Sequence, residues 1–264
     1  MIGSGYNYLS AKPQESKHTL KIINSTMSNT SIIDNYQRVL DRIEVAAISV
    51  HRNQDRVRLI VVTKGHPLEK VQEVIAAGAK HLGENYVEEA LAKIASVEST
   101  GDIRWHMIGH VQSRKARRVC EHFDWVQTVD SLRLATRLDR FAGEMGKRVP
   151  ILLECNVSGE ETKFGWTAWN ELEWEELAEE IEPTLEMRNL EVSGLMTMTP
   201  FFPNSEQARP YFIRLRKLRD FLDVKFPQTN WTELSMGMSG DYEVAIQEGA
   251  TVVRIGTAIL GERE

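Results

Sequence analysis

The chain has 264 residues, 42% hydrophobic, 27% charged and 8% aromatic, which excludes whole-chain disorder and fibrous architectures. Lys and Arg number 32 against 38 Asp and Glu, a formal charge of -6, which argues against nucleic-acid binding by bulk charge. Two cysteines, Cys120 and Cys155, without a CxxC spacing, argue against a disulfide framework or a zinc site and predict two buried free thiols. No run is long and apolar enough to cross a bilayer, and no secretory signal layout opens the chain, so a cytoplasmic protein without a metal is expected.

Residues 1–30, rich in Ser, Asn and Thr, read as a flexible lead-in, with Met27 as a second start. From Ile32 to Arg52 apolar residues recur at steps of three and four, which predicts an amphipathic helix. Arg58–Thr63 is short, apolar and β-branched and predicts a buried strand. Pro67 suits the first turn of the following helix, which ends near Ala77 and Gly78. The same unit recurs, with strands at 80–82, 103–108, 125–129, 149–157, 190–195, 232–235 and 251–255. Helices are predicted between them at 86–96, 112–122, 131–145, 168–181, 205–223 and 241–248. Eight strands separated by helices imply parallel βαβ units. Roughly 230 residues is the length of a (β/α)8 TIM barrel; an open doubly wound sheet is the alternative. The expected organisation is an α/β chain with one barrel domain over 31–264 and an extra N-terminal helix.

In such a barrel the chemistry lies at the C-terminal ends of the strands. Lys64 ends the apolar run Leu59–Thr63, so its stem is expected in the barrel mouth. A partly dry lysine loses affinity for its proton, and its free amine attacks carbonyls to form a Schiff base. The bland reading is a lysine snorkelling at a strand end. After the seventh strand, Ser235-Met236-Gly-Met-Ser-Gly240 is a glycine-containing turn opening a helix; after the eighth comes Gly256-Thr257. Backbone N–H groups of such turns point at anions, and hydroxyls add donors, although an ordinary capped turn looks the same. Arg254 lies inside Val252-Val-Arg-Ile255, where a charge needs a partner: a ligand, or a buried salt bridge with Glu84 or Asp241. Lysine, phosphate cradle and arginine in one mouth point to pyridoxal 5′-phosphate, PLP.

Six stretches carry a further likeness: Val61-Val-Thr-Lys64, Gly83-Glu-Asn-Tyr86, Trp105-His-Met-Ile-Gly109 with Gln112, Gly194-Leu-Met196, Leu234-Ser-Met-Gly-Met-Ser239 with Asp241, and Val253-Arg-Ile-Gly-Thr257 with Gly261-Glu-Arg263. In this order the chain resembles the pyridoxal phosphate homeostasis proteins. The resemblance implies a fold-type III PLP barrel similar to the N-terminal barrel of alanine racemase. It implies Lys64 as the Schiff-base lysine, Ser235 with the Gly256-Thr257 turn at the phosphate, and Arg254 facing the pyridine nitrogen. Met236 belongs to the same phosphate turn, and Asn85 and His106 are expected to line the pocket near the ring. The chain departs from the family at Gly109-His-Val-Gln-Ser-Arg-Lys115, where His110 and Arg114 make the loop more basic. The run Arg114, Lys115, Arg117, Arg118 reads as a solvated helix face; the minority reading is a site for an anionic partner.

Alanine racemase adds a C-terminal β-domain and a tyrosine opposite its lysine, and an arginine at the pyridine nitrogen weakens the ring as an electron sink. The expected role is therefore to hold PLP and buffer or deliver it to apo-enzymes as a monomer, with no catalytic residues assigned. A weak PLP-dependent racemase, with His106 or Tyr86 as the opposite acid, is the alternative. A Schiff-base aldolase without PLP needs a mid-barrel carboxylate, for which Glu154 is the candidate. The loop Thr197–Pro203 reads as a rim segment, or as a flap or docking surface.

Overall fold

The computed structural model describes residues 1, 31–97 and 102–263, so the expected lead-in lies, Met1 apart, outside the described residues. The elements are α1 (Ile32–Ile48), β1 (Arg58–Val62), α2 (Leu68–Ala76), β2 (His81–Glu84), α3 (Val87–Ser96), β3 (Arg104–Met107), α4 (Ala116–His122), β4 (Trp125–Val129) and α5 (Leu132–Glu144). They continue as β5 (Val149–Asn156), β6 (Trp166–Thr167), α6 (Trp174–Leu185), β7 (Leu190–Met196), α7 (Arg209–Lys225), β8 (Glu233–Ser235), α8 (Tyr242–Gln247), β9 (Val252–Ile255) and α9 (Thr257–Leu260).

All strand pairings are parallel, in the order β4-β3-β2-β1-β9-β8-β7-β5, and β4 pairs with β5 to close the ring. The eight expected strands thus form a closed barrel, and the open sheet is excluded. Closure joins the first and last strands in continuous register, Arg58 opposite Val252 through Val61 opposite Ile255. The strand before each helix delivers its C-terminal end to one rim, which is why Lys64, Asn85 and Gly256 share that rim.

Outward strand residues and inward helix residues build the main core: Val61, Leu82, Trp105, Met107, Val126, Leu153, Leu195 and Val253 are at most 6% exposed and belong to one cluster with the helices. The inward positions are polar by comparison: His106, Gln127, Glu154, Ser235 and Arg254 are all buried. Helix α1 packs on α2, α8 and α9, bracing the junction between the first and last units, and Asn35 Nδ2 donates to the Ile259 carbonyl at 3.2 Å. Cys120 and Cys155 are both free and buried.

Three boundaries differ from the sequence reading. Strand β6 pairs with the end of β5 outside the closed ring. It exists because Gly165, at φ +113°, lets the chain press onto β5; a Cβ there would stand 2.7 Å from the Glu154 carbonyl. Helix α6 starts at Trp174, not near 168, because Asn170 caps a 3-10 turn at Glu171–Glu173 first. It then runs past Pro183 to Leu185, since a proline in the last turn forfeits only one N–H bond while Thr184 stays buried. The basic run 114–118, which spans a 3-10 turn at Ser113–Lys115 and the start of α4, is largely engaged: Lys115 pairs with Glu88 at 2.6 Å, Arg117 with Glu144, and Arg114 donates to Gln112 at 3.0 Å.

Candidate functional site

A cavity of about 250 Å³ opens at the C-terminal rim. Lys64, Arg254, Gly256 and Thr257 line it, joined by Arg263, the turn Met238–Asp241, and an apolar wall of Val62, Pro200 and Phe202. The structure thus brings together four of the residues expected at the site. Asn85, His106, Ser235 and Met236 are not in its lining.

Lys64 is half-buried and its amine makes no hydrogen bond among the described residues. Burial pushes its pKa below the ordinary lysine value; Arg263 and, more weakly, Arg254 push the same way, while Glu84 and Glu89 oppose. Arg254 is 4% exposed. Its Nη1 donates to Ser235 Oγ at 2.6 Å and its Nη2 to the Thr197 carbonyl at 2.8 Å. It therefore forms no salt bridge with Glu84 or Asp241, the pairings offered for it above. Burial pushes it down to about 10, with Asp241 and Glu154 pulling back, so it stays cationic at neutral pH.

Across the cavity the Ser239 and Gly240 N–H groups have no partner among the described residues. Asp241 braces this turn, accepting from Met238 N at 2.6 Å and Thr199 Oγ1 at 2.9 Å. Ser239 Oγ accepts from Ala258 N at 3.4 Å, tying the turn after β8 to the one after β9. Of the rim loop 197–203, Phe202 packs on Tyr211 at 5.8 Å between ring centroids while Phe201 is 89% exposed at the cavity edge.

Ser235 and His106 sit inside the barrel instead, because their side chains point inward from strands one layer below the rim. They belong to one hydrogen-bonded chain. Ser235 Oγ donates to Gln127 Oε1 at 2.7 Å, Gln127 Nε2 meets His106 Nδ1 at 3.1 Å, and His106 Nε2 meets His81 Nδ1 at 3.0 Å. Burial holds both imidazoles below their ordinary value, His81 at about 4. Neutral rings fix the polarity: His106 accepts at Nδ1 and donates from Nε2. The chain backs Arg254 from behind, so Ser235 reaches the cavity only through Arg254, which lines it. Met236 is wholly buried beneath the cavity, its N–H bonded to the Val252 carbonyl at 3.1 Å. Asn85 packs at the end of β2 with its Oδ1 buried and without a partner among the described residues.

Gln127 and Arg263 carry roles that the sequence reading did not assign. Gln127 had a signal, a lone amide inside the strand Trp125–Val129. Glu154, the mid-barrel carboxylate, is pushed up to about 7 by burial and by Asp130, with Arg254 opposing. In the unfolded chain it returns to 4.5. Between those values the folded state keeps a proton that the unfolded state releases, so stability falls as pH rises through about 7. Glu154→Gln is expected to stabilise the protein at pH 8 by about 3 kcal/mol and by nearly nothing near pH 4.5, read as Tm across that range.

A closed parallel barrel with a lysine at the end of its first strand defines the class. The alanine racemase N-terminal domain family matches residues 35–264. Alanine racemase of Clostridium difficile, 14% identical, shares the fold with a TM-score of 0.63 over 86% of this chain and 59% of its own. The pyridoxal phosphate homeostasis protein of Aquifex aeolicus is 40% identical over 227 residues, 86% of this chain and 96% of its own. PipY of Synechococcus elongatus, whose structure has PLP bound, is 37% identical with a TM-score of 0.72, covering 84% of this chain and all of its own. This chain belongs to the pyridoxal phosphate homeostasis protein family.

Proposed function

We propose that this protein binds PLP through Lys64 and serves PLP homeostasis, holding the cofactor and passing it on. The observation that carries the reading is a half-buried lysine amine without a hydrogen-bond partner among the described residues, facing a cavity that also holds N–H donors unpaired among them and a buried guanidinium. This donor set fits PLP. Lys64 would take the aldehyde, the Ser239-Gly240 and Gly256-Thr257 turns the phosphate, and Arg254 the ring nitrogen. The apolar wall of Val62, Pro200 and Phe202 suits the ring faces. When bound, PLP supplies an aldehyde that a neutral amine attacks with loss of water. Lys64's depressed proton affinity raises the fraction of neutral amine available for this. Arg254 keeps its proton, so it would donate to the ring nitrogen without protonating it, which would disfavour carbanion chemistry.

Holding is favoured over racemisation because no imidazole or phenol lines the cavity among the described residues. His106, one candidate for the opposite acid, is committed inside the barrel; Tyr86, the other, is 62% exposed and outside the lining. We read the protein as a cytoplasmic monomer, one barrel domain over 31–264, whose recipients are apo-forms of PLP enzymes; no described helix is long and apolar enough to cross a membrane. The test loads the protein with PLP, then supplies an apo-aminotransferase in one sample and L-alanine in another. Recovery of aminotransferase activity with L-alanine unchanged is expected. Sustained racemisation of the alanine, or failure to retain PLP, would overturn the reading.

A further inference from the structure

We infer that Glu89 and Lys93 are positioning residues for Lys64, fixing the peptide groups on either side of it. The inference rests on the reading of Lys64 as the PLP lysine and adds the device that presents it.

Lys93 lies on the inner face of α3 and is 6% exposed. Its ammonium donates to three oxygens, the Thr63 carbonyl at 2.6 Å, Glu84 Oε1 at 2.8 Å and Glu89 Oε1 at 2.6 Å, which saturates it. Glu84 Oε1 also accepts from Thr63 Oγ1 at 2.6 Å. Glu89 Oε1 accepts in turn from the Gly65 N–H at 2.6 Å. The Thr63 carbonyl belongs to the peptide group before Lys64, and the Gly65 N–H to the peptide group after it. One cluster therefore grips both peptide planes that meet at the Lys64 Cα and so sets its φ and ψ. Gly65 itself sits at φ +71°, and a Cβ there would stand 2.9 Å from the Arg263 Cδ. The side chain that must meet the aldehyde thus leaves a backbone held on both sides, while its amine stays unbonded.

A merely structural ion pair on α3 predicts an effect on stability alone. A clamp predicts an effect on the reach of Lys64, seen as the rate at which it captures PLP. The charged groups facing the Lys64 amine are Arg263 and Arg254, which weaken its hold on the proton, and Glu84 and Glu89, which strengthen it. Removing Glu89 therefore moves the pH midpoint of capture down, and loss of the clamp lowers the high-pH plateau, two separable signals.

Lys93→Met strands Glu84 in the interior and threatens the fold, so the primary variants are Glu89→Ala and Glu89→Gln, at a side chain 30% exposed. Purified full-length protein is mixed with PLP at a series of pH values, and the rate of absorbance change is followed alongside Tm. Glu89→Ala is expected to lower the plateau by roughly tenfold, as for a misplaced reacting group, with the midpoint shifted to lower pH and Tm held. Glu89→Gln keeps an acceptor for the Gly65 N–H and is expected to shift the midpoint while restoring most of the plateau. Lys93→Met, where it folds, should match the plateau loss of Glu89→Ala. A wild-type plateau in Glu89→Ala, or an equal loss in Glu89→Gln, overturns the clamp while leaving Lys64 as the PLP residue. Absence of capture by wild type overturns both.

Discussion

Replacing Arg254 with methionine is expected to weaken PLP binding by tenfold or more while leaving the apoprotein at least as stable as wild type. The two effects part because Arg254 is held against its own solvation. Its fall from 12.5 to about 10 means that the folded state disfavours the cation, by about 3 kcal/mol at neutral pH. Methionine removes that penalty. It also leaves the buried Thr197 carbonyl without a donor, which costs about 1–3 kcal/mol, while Ser235 still bonds to Gln127. These terms nearly cancel. A ligand that loses a charge-assisted hydrogen bond forfeits about 1.5–3 kcal/mol, which is at least tenfold in affinity. Thermal melts of the apoprotein and equilibrium titration with PLP check the two halves separately. A large drop in Tm with unchanged affinity would make Arg254 a structural residue.

Gly194→Ala is expected to destabilise the protein by more than about 4 kcal/mol, enough to unfold most of it, since domains of this size are stable by only about 5–15 kcal/mol. Gly194 stands in β7 opposite Glu233 of β8, at φ +151°. A Cβ there would lie 1.9 Å from the Glu233 carbonyl oxygen and 2.7 Å from its carbon. Both obstacles are backbone of the adjacent strand, so relief requires β7 and β8 to part and the ring to open. Gly240→Ala is the control: nothing stands within 4 Å of its Cβ, so its stability should change by less than about 0.5 kcal/mol. Chemical denaturation of the two variants decides it. Equal stability of both would mean that β7 and β8 leave room for a methyl group between them.

The barrel was legible because strands such as β1, β4 and β9 are short runs rich in β-branched residues, and eight alternating strand and helix units leave few alternatives. Lys64 and Arg254 were legible for the same reason: each is a charge where an apolar strand ends or continues. What the sequence hid is which way a strand residue points. His106 and Ser235 looked like rim residues from their distance to the strand ends, yet both face inward one layer lower. There they join Gln127 in the chain behind Arg254. Lys93 was hidden differently. With Glu89 four residues earlier on a helix it has the spacing of an ordinary surface pair, and only the packing of α3 against the end of β1 turns it inward. Strand β6 depends on Gly165 pressing onto β5, a contact between segments that no local period records.

The most direct measurement incubates the protein with PLP, records its visible spectrum, reduces the sample with borohydride and maps the modified lysine by mass spectrometry. A new absorbance band in wild type, one modified residue at Lys64, and neither in Lys64→Ala is the predicted result. No band at saturating PLP, or a band that survives in Lys64→Ala with the label on another lysine, would contradict it.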